Sequence, residues 1–136
     1  MTPNKEDYLK CIYEIGTEMQ KITNKEIATR MQVSPPAVTE MIKRMKSENL
    51  ILKDKENGYL LTDIGLKLVS ELYRKHRLIE VFLVHHLDYT SDQIHEEAEV
   101  LEHTVSDLFV ERLDKLLRFP KTCPHGGTIP AEGELL

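Results

Sequence analysis

Glu99, Glu102 and His103 stand at i, i+3 and i+4, so on a helix all three project from one face over a single turn. Two carboxylates and an imidazole suit a divalent transition ion. His76 and Glu80 repeat the i, i+4 spacing, and Cys123-Pro124-His125 sets a thiol and an imidazole two residues apart in an irregular stretch whose backbone can adapt to an ion. Two metal sites are expected. Any one such pair is ordinarily a solvated helix face; several of them crowded into one half of the chain make the case for ligation. All six histidines lie in residues 63–136, where eight Lys/Arg face fourteen Asp/Glu, against ten and nine in residues 1–62. The net charge of -5 therefore splits into +1 and -6.

A second kind of chemistry sits in the less acidic half. Lys43, Arg44 and Lys46, with Ser34, Pro36, Thr39 and Glu40, mark the outward face of one amphipathic segment. The lysines and the arginine can neutralise phosphate, Ser34 and Thr39 can reach bases or phosphates, and Pro36 offers an apolar contact to a thymine methyl. Glu40 either accepts a hydrogen bond from a cytosine amino group or pairs with Lys43 or Arg44 along the helix.

Tyr8, Ile12, Ile15 and Met19 give a first helix over residues 5–19, with Asn4 as N-cap and Glu6 and Asp7 in its first turn. Thr23 or Asn24 caps a short second helix with Ile27, Ala28 and Met31 as its stripe, interrupted by Val33-Ser34-Pro35-Pro36. Ser34 caps a third helix from Pro35 to about Asn49, with Val38, Ile42 and Met45 inward. LILKDKENGYLLT predicts two strands around Glu56-Asn57-Gly58, since Asn-Gly supplies the positive dihedrals of a tight hairpin. Short helix, turn, basic helix and hairpin is the order of a winged helix-turn-helix. Thr62 caps a long helix reaching about His86, with Ile64, Leu68, Leu72, Ile79, Phe82 and Leu83 apolar. Ser91 opens a helix predicted over 91–109, VERLDKLLRF follows, and a Pro- and Gly-containing tail from Pro120 has no periodicity. Only one net positive charge in the reading half implies modest affinity from a single copy, so two copies on a palindrome are expected. Ile94, Val105, Leu108, Phe109 and Leu113 are the expected dimer face.

Other classes recede. Two cysteines, Cys11 and Cys123, are too few for a disulfide framework, and no apolar run forms a membrane span or a signal peptide, which points to the cytoplasm. Glu and His with an ion could activate water, but no phosphate-binding loop, nucleophile elbow or HExxH pattern is present, so an enzyme is not expected.

The segments EDYLKCIYEI, SPPAVTEMIKRM, RKHRLIEVFL, EEAEVLEHTVSD and CPHGGTIP, in this order and spacing, resemble the diphtheria toxin repressor and manganese transport regulator family, along essentially the whole chain. The resemblance implies a mainly α fold with a winged helix-turn-helix over residues 1–70 and a helical dimerisation and metal-binding domain over 71–136. It implies a homodimeric repressor of metal-uptake genes that binds palindromic double-stranded operators when loaded with metal. It also carries over two ligand sets: Asp7 with Glu99, Glu102 and His103, and His76 with Glu80, joined by Cys123 and His125 in members that carry CPHG. His95 falls where some members have a ligand. Asp7 belongs to the reading half, so an ion held by Asp7 and the later helices would fix that half against the dimer core.

Three departures qualify the carry-over. Lys10 stands where the two-domain manganese sensors have glutamate, Glu99 stands where iron sensors have cysteine, and the chain stops at Leu136 where members with this tail continue into an SH3-like domain. Oxygen and nitrogen donors favour Mn(II), whereas a site with Cys123 favours Zn(II) or Fe(II). Manganese is the first expectation and zinc the second; a metal-independent winged-helix interaction module is the alternative.

Overall fold

The structure, a computed structural model, describes residues 4–18 and 20–136; Met19, assigned above to the first helix, lies outside them. The chain folds as two compact units, Met1–Val69 and Ser70–Leu136, and is mainly α-helical with one small hairpin.

In the first unit α1 spans Lys5–Thr17. Asn4 Oδ1 accepts from the Asp7 amide at 3.0 Å and Asp7 Oδ2 accepts from the Asn4 amide at 3.0 Å, a reciprocal cap that satisfies two otherwise orphaned donors. Thr23 caps α2 (Asn24–Met31), which Gln32 ends in the left-handed region at φ 55°. Ser34 Oγ then accepts from the Ala37 amide at 3.3 Å and opens α3 (Pro35–Ser47), with Pro35 where a missing N–H costs nothing. Leu9, Ile12, Ile15, Ile27, Val38 and Met45 are fully buried and form the centre of this unit's core.

Strands β1 (Ile51–Asp54) and β2 (Gly58–Leu61) pair antiparallel, Ile51 opposite Leu61 and Asp54 opposite Gly58. The connection is a three-residue loop rather than a tight Asn-Gly turn. Asp54 Oδ2 closes it by accepting from the amides of Glu56 (3.2 Å) and Asn57 (2.8 Å), and of the Asn-Gly pair only Gly58 is at positive φ (81°). A side chain there is excluded twice, because a Cβ would also lie 1.9 Å from the Ile22 carbonyl oxygen. Ile22 in turn donates to Asn57 O at 2.8 Å, and Tyr59 Oη donates to Asn24 Oδ1 at 2.7 Å.

Helix α4 (Asp63–Leu87) starts under a Thr62 cap, Gly65 N–H to Thr62 Oγ1 at 3.1 Å. Ile64, the first apolar residue of this helix, is 56% exposed. In the second unit Leu78, Ile79 and Leu83 of α4 pack with Ile94, Ala98, Val110 and Leu113. The single helix expected over 91–109 is two helices, α5 (Ser91–Glu102) and α6 (Asp107–Leu116). The break has a local cause: Ser106 Oγ accepts from the Phe109 amide at 3.1 Å, a cap that competes with continuing the helix. The apolar run Val105, Leu108, Phe109 hides that signal.

The aperiodic tail is ordered by hydrogen bonds. Cys123 donates to Gly127 O and Gly126 to Cys123 O, both at 2.9 Å, and Ile129 donates to Lys121 O at 2.9 Å. With Gly126 at φ 83° and Pro124 second in the turn, this is a three-residue hairpin loop. It buries Cys123 and Ile129 against the core of α4, α5 and α6.

Candidate metal centre and nucleic-acid interface

Glu80 and Glu102 are 2% and 1% exposed, and His76 is 6% exposed. These three define the interior of the second unit's polar cluster. His76 Nε2 lies 3.5 Å from Glu80 Oε2, and His76 Nδ1 lies 3.4 Å from Glu102 Oε2. Beyond Glu102 stands His103 Nε2, 3.8 Å from Glu102 Oε1, and beyond Glu80 stands His125 Nδ1, 3.0 Å from Glu80 Oε2. The donors thus form a row, His103, Glu102, His76, Glu80, His125, supplied by α5 and its end, by α4 and by the tail loop. Two triads, His76/Glu80/His95 and Glu80/Cys123/His125, bring one ligand atom from each residue within 4.8 Å of one another, and both use Glu80.

This donor set fits a divalent cation. Glu80 is a nearly solvent-free carboxylate beside a buried imidazole, and a buried carboxylate is costly to keep charged unless positive charge stands beside it. The neighbouring cations of α4 are committed elsewhere: Arg74 pairs with Asp114 at 2.8 Å and Arg77 donates to the Thr128 carbonyl. Glu80 Oε2 is buried and takes part in no well-formed hydrogen bond, although two imidazole nitrogens face it. Burial alone would push the Glu80 carboxyl up. Its close approach to His76 and the positive charge that His76, His125 and His95 can carry outweigh that, and the net direction is down. Positive charge at this point is what the site favours.

The residues singled out in the sequence distribute unevenly. His76, Glu80, Glu102, His103, Cys123 and His125 lie along the row of donors. Glu99 does not follow Glu102 inward; it is half-exposed and pairs with His95 across one helical turn at 3.2 Å. His103, expected on the same helix face as Glu99 and Glu102, stands at the end of α5 as its C-cap. Asp7 belongs to the first unit, where its carboxylate closes the α1 cap. Sequence spacing missed the contact between His76 and Glu102, which no local pattern encodes, and it did not single out His95 with Glu99, although their i, i+4 spacing carries the signal. Cys11 is no ligand candidate: it is buried in α1, and burial, with Glu14 beside it, pushes its thiol up to about 11.

In the first unit Ser34, Pro36, Thr39, Glu40, Lys43, Arg44 and Lys46 are all exposed on α3 or at its start. Ser34 and Thr39 also serve their own helix, Ser34 as cap and Thr39 Oγ1 donating to Pro35 O at 3.2 Å. Arg44 pairs with Glu48 at 3.2 Å, one turn further on, and not with Glu40. Lys53 and Lys55 add exposed positive charge on the hairpin.

Comparison with known proteins follows the same division. Residues 1–59 match the iron dependent repressor N-terminal DNA binding domain, and residues 62–131 match the iron dependent repressor metal binding and dimerisation domain. The diphtheria toxin repressor of Corynebacterium diphtheriae is 33% identical over 96% of the chain, which spans 58% of that protein. Among solved structures, the manganese regulator SloR is 68% identical with a TM-score of 0.89, covering all of this chain and 63% of that one. ScaR with bound Zn2+ is 78% identical with a TM-score of 0.94, covering 98% of this chain and 63% of that one. The chain therefore spans about three fifths of these relatives' length.

Proposed function

The chain belongs to the iron-dependent repressor family, whose two domain models together run from residue 1 to residue 131, and from that premise we propose that it is a metal-dependent transcriptional repressor of metal-uptake genes. The observation that carries this reading is the pair of buried carboxylates, Glu80 and Glu102, closing on the His76 imidazole with Cys123 and His125 beside them. A carboxylate buried as deeply as Glu80 favours positive charge beside it.

Mn(II) is the proposed effector. Carboxylate and imidazole donors suit it, and SloR is described as a manganese regulator. Zn(II) or Fe(II) is the alternative at Glu80, Cys123 and His125, where a thiolate favours a softer ion; ScaR has been seen with Zn2+. A second ligand set, Asp7 with Glu99, Glu102 and His103, rests on the family resemblance. When bound, the ion supplies positive charge that holds carboxylate, imidazole and thiolate donors together. The residues do the rest: Glu80 offers one carboxylate to both triads, and the tail loop delivers Cys123 and His125 to α4.

The reading surface is the exposed face of α3, with Lys43 and Lys46 on phosphate and Ser34, Pro36, Thr39 and Glu40 toward base edges of a palindromic duplex. The second copy docks on α6. Ile94 and Leu113 are buried within the unit, which removes them from the expected dimer face, whereas Leu108, Phe109, Leu116 and Phe119 are each between 46% and 61% exposed. Among the described residues no helix is long and apolar enough to cross a membrane, and the proposed DNA target places the repressor in the cytoplasm.

The test is binding to a labelled palindromic duplex from a metal-uptake promoter, with Mn(II), with Zn(II) and with chelator. Metal is expected to tighten binding by more than about tenfold, roughly 1.4 kcal/mol of coupling, and Glu80→Gln with Glu102→Gln should abolish the gain. Equal binding in chelator overturns the proposal.

A further inference from the structure

Arg77 sits beside the donors without being one of them. Its guanidinium donates to the Thr128 carbonyl and lies over the Tyr73 ring, 4.6 Å from the centroid. A Cβ at residue 127 would meet Arg77 Nε at 2.9 Å, Arg77 Cζ at 3.2 Å and Cys123 Sγ at 3.2 Å, so glycine is the residue that lets guanidinium, loop backbone and sulfur pack in succession. The Gly127 amide uses that closeness to donate to Cys123 Sγ at 3.2 Å. Three residues along the same helix face, Glu80 meets His125 of the same loop.

We propose that Arg77 is a positioning residue for the thiolate half of the metal site: it sets the distance between α4 and the Cys123–Thr128 loop, and so the register of Cys123 and His125 against Glu80. The guanidinium suits this task because its plane stacks on Tyr73 while an edge N–H reaches the loop carbonyl. A lysine keeps the charge and one donor but loses the plane. Residues that only orient a metal ligand typically change affinity by about 10–100-fold when altered.

The inference rests on the metal reading above, and the experiment separates the two. The 136-residue chain is titrated with Co(II), following the thiolate-to-cobalt charge-transfer absorption, in wild type, Arg77→Met and Arg77→Lys, with far-ultraviolet circular dichroism as the check on folding. In Arg77→Met the cobalt concentration needed to develop the band should rise about tenfold or more, with the helical signal unchanged, and Arg77→Lys should fall between the two. A folded Arg77→Met protein with the wild-type titration curve overturns the inference and leaves the metal reading standing. If Arg77→Met does not fold, Arg77→Lys decides: a weakened band supports the inference and an unchanged one overturns it. A wild-type protein with no band at all overturns the thiolate site itself, and the inference with it.

Discussion

The Nδ1 of His125 lies 3.0 Å from the Oε2 of Glu80, which joins a turn residue of the aperiodic tail to the interior of the chain's longest helix. Glu80 is thereby common to two possible donor triads. Removing that one carboxylate would take a member from both.

Glu80→Gln keeps the size and removes the charge, so it should weaken Mn(II) and Zn(II) binding by more than the roughly 10–100-fold seen when a residue that merely orients a ligand is altered. Isothermal titration calorimetry on the two proteins measures it. Affinities within about twofold of wild type would show that the carboxylate is not a ligand.

Metal removal should lower thermal stability. At a free ion concentration one hundred times the dissociation constant, binding to the folded state alone adds about 2.7 kcal/mol, which for a unit of this size corresponds to a rise of about 10 °C or more in melting temperature. Melting in chelator and in excess Mn(II) tests this, and a shift under about 2 °C contradicts it.

The two cysteines should differ toward an alkylating reagent. Cys11 has its thiol pushed up to about 11 by burial and Glu14, so at pH 8 only about one molecule in a thousand carries the reactive thiolate. It should stay unmodified with and without metal. Cys123 should label in chelator and be protected by Zn(II), as read by peptide mass spectrometry; labelling of Cys123 at the same rate in both conditions would remove it from the ligand set.

Lys43→Ala should weaken binding to all duplexes alike and lower the slope of log affinity against log salt by about 0.9, the change expected for one phosphate contact. Glu40→Gln should instead raise affinity for unrelated duplexes while narrowing the preference for the operator. A Lys43→Ala slope equal to wild type would place that lysine off the DNA.

Much of the first unit was legible because each helix announces itself twice, once in apolar spacing and once in a cap. Asn4, Thr23, Ser34 and Thr62 all act as the caps their residue types suggest. The second unit was harder where two signals conflict. Val105, Leu108 and Phe109 prolong the spacing of α5 while Ser106 starts a new helix, and the cap prevailed because Leu108 and Phe109 are exposed and lose little burial. The tail carries no periodicity, so nothing local announces that Cys123 is buried or that Gly127 donates to its sulfur. The contact of His76 with Glu102 is set by helix packing, which residue spacing does not contain.

The hairpin of the first unit is tied to the segment ahead of α2 by the Ile22 to Asn57 bond, by Tyr59 on Asn24, and by a glycine too close to the Ile22 carbonyl to be replaced. The wing is therefore held at three points to the segment that leads into α2. Ordering a loose flap on a duplex would cost about 0.5–1.5 kcal/mol for each side chain immobilised. A half-chain with a single surplus positive charge has little ionic attraction to set against such a cost, and on the proposed reading a contact surface tied together before a duplex arrives would keep each weak contact available as affinity.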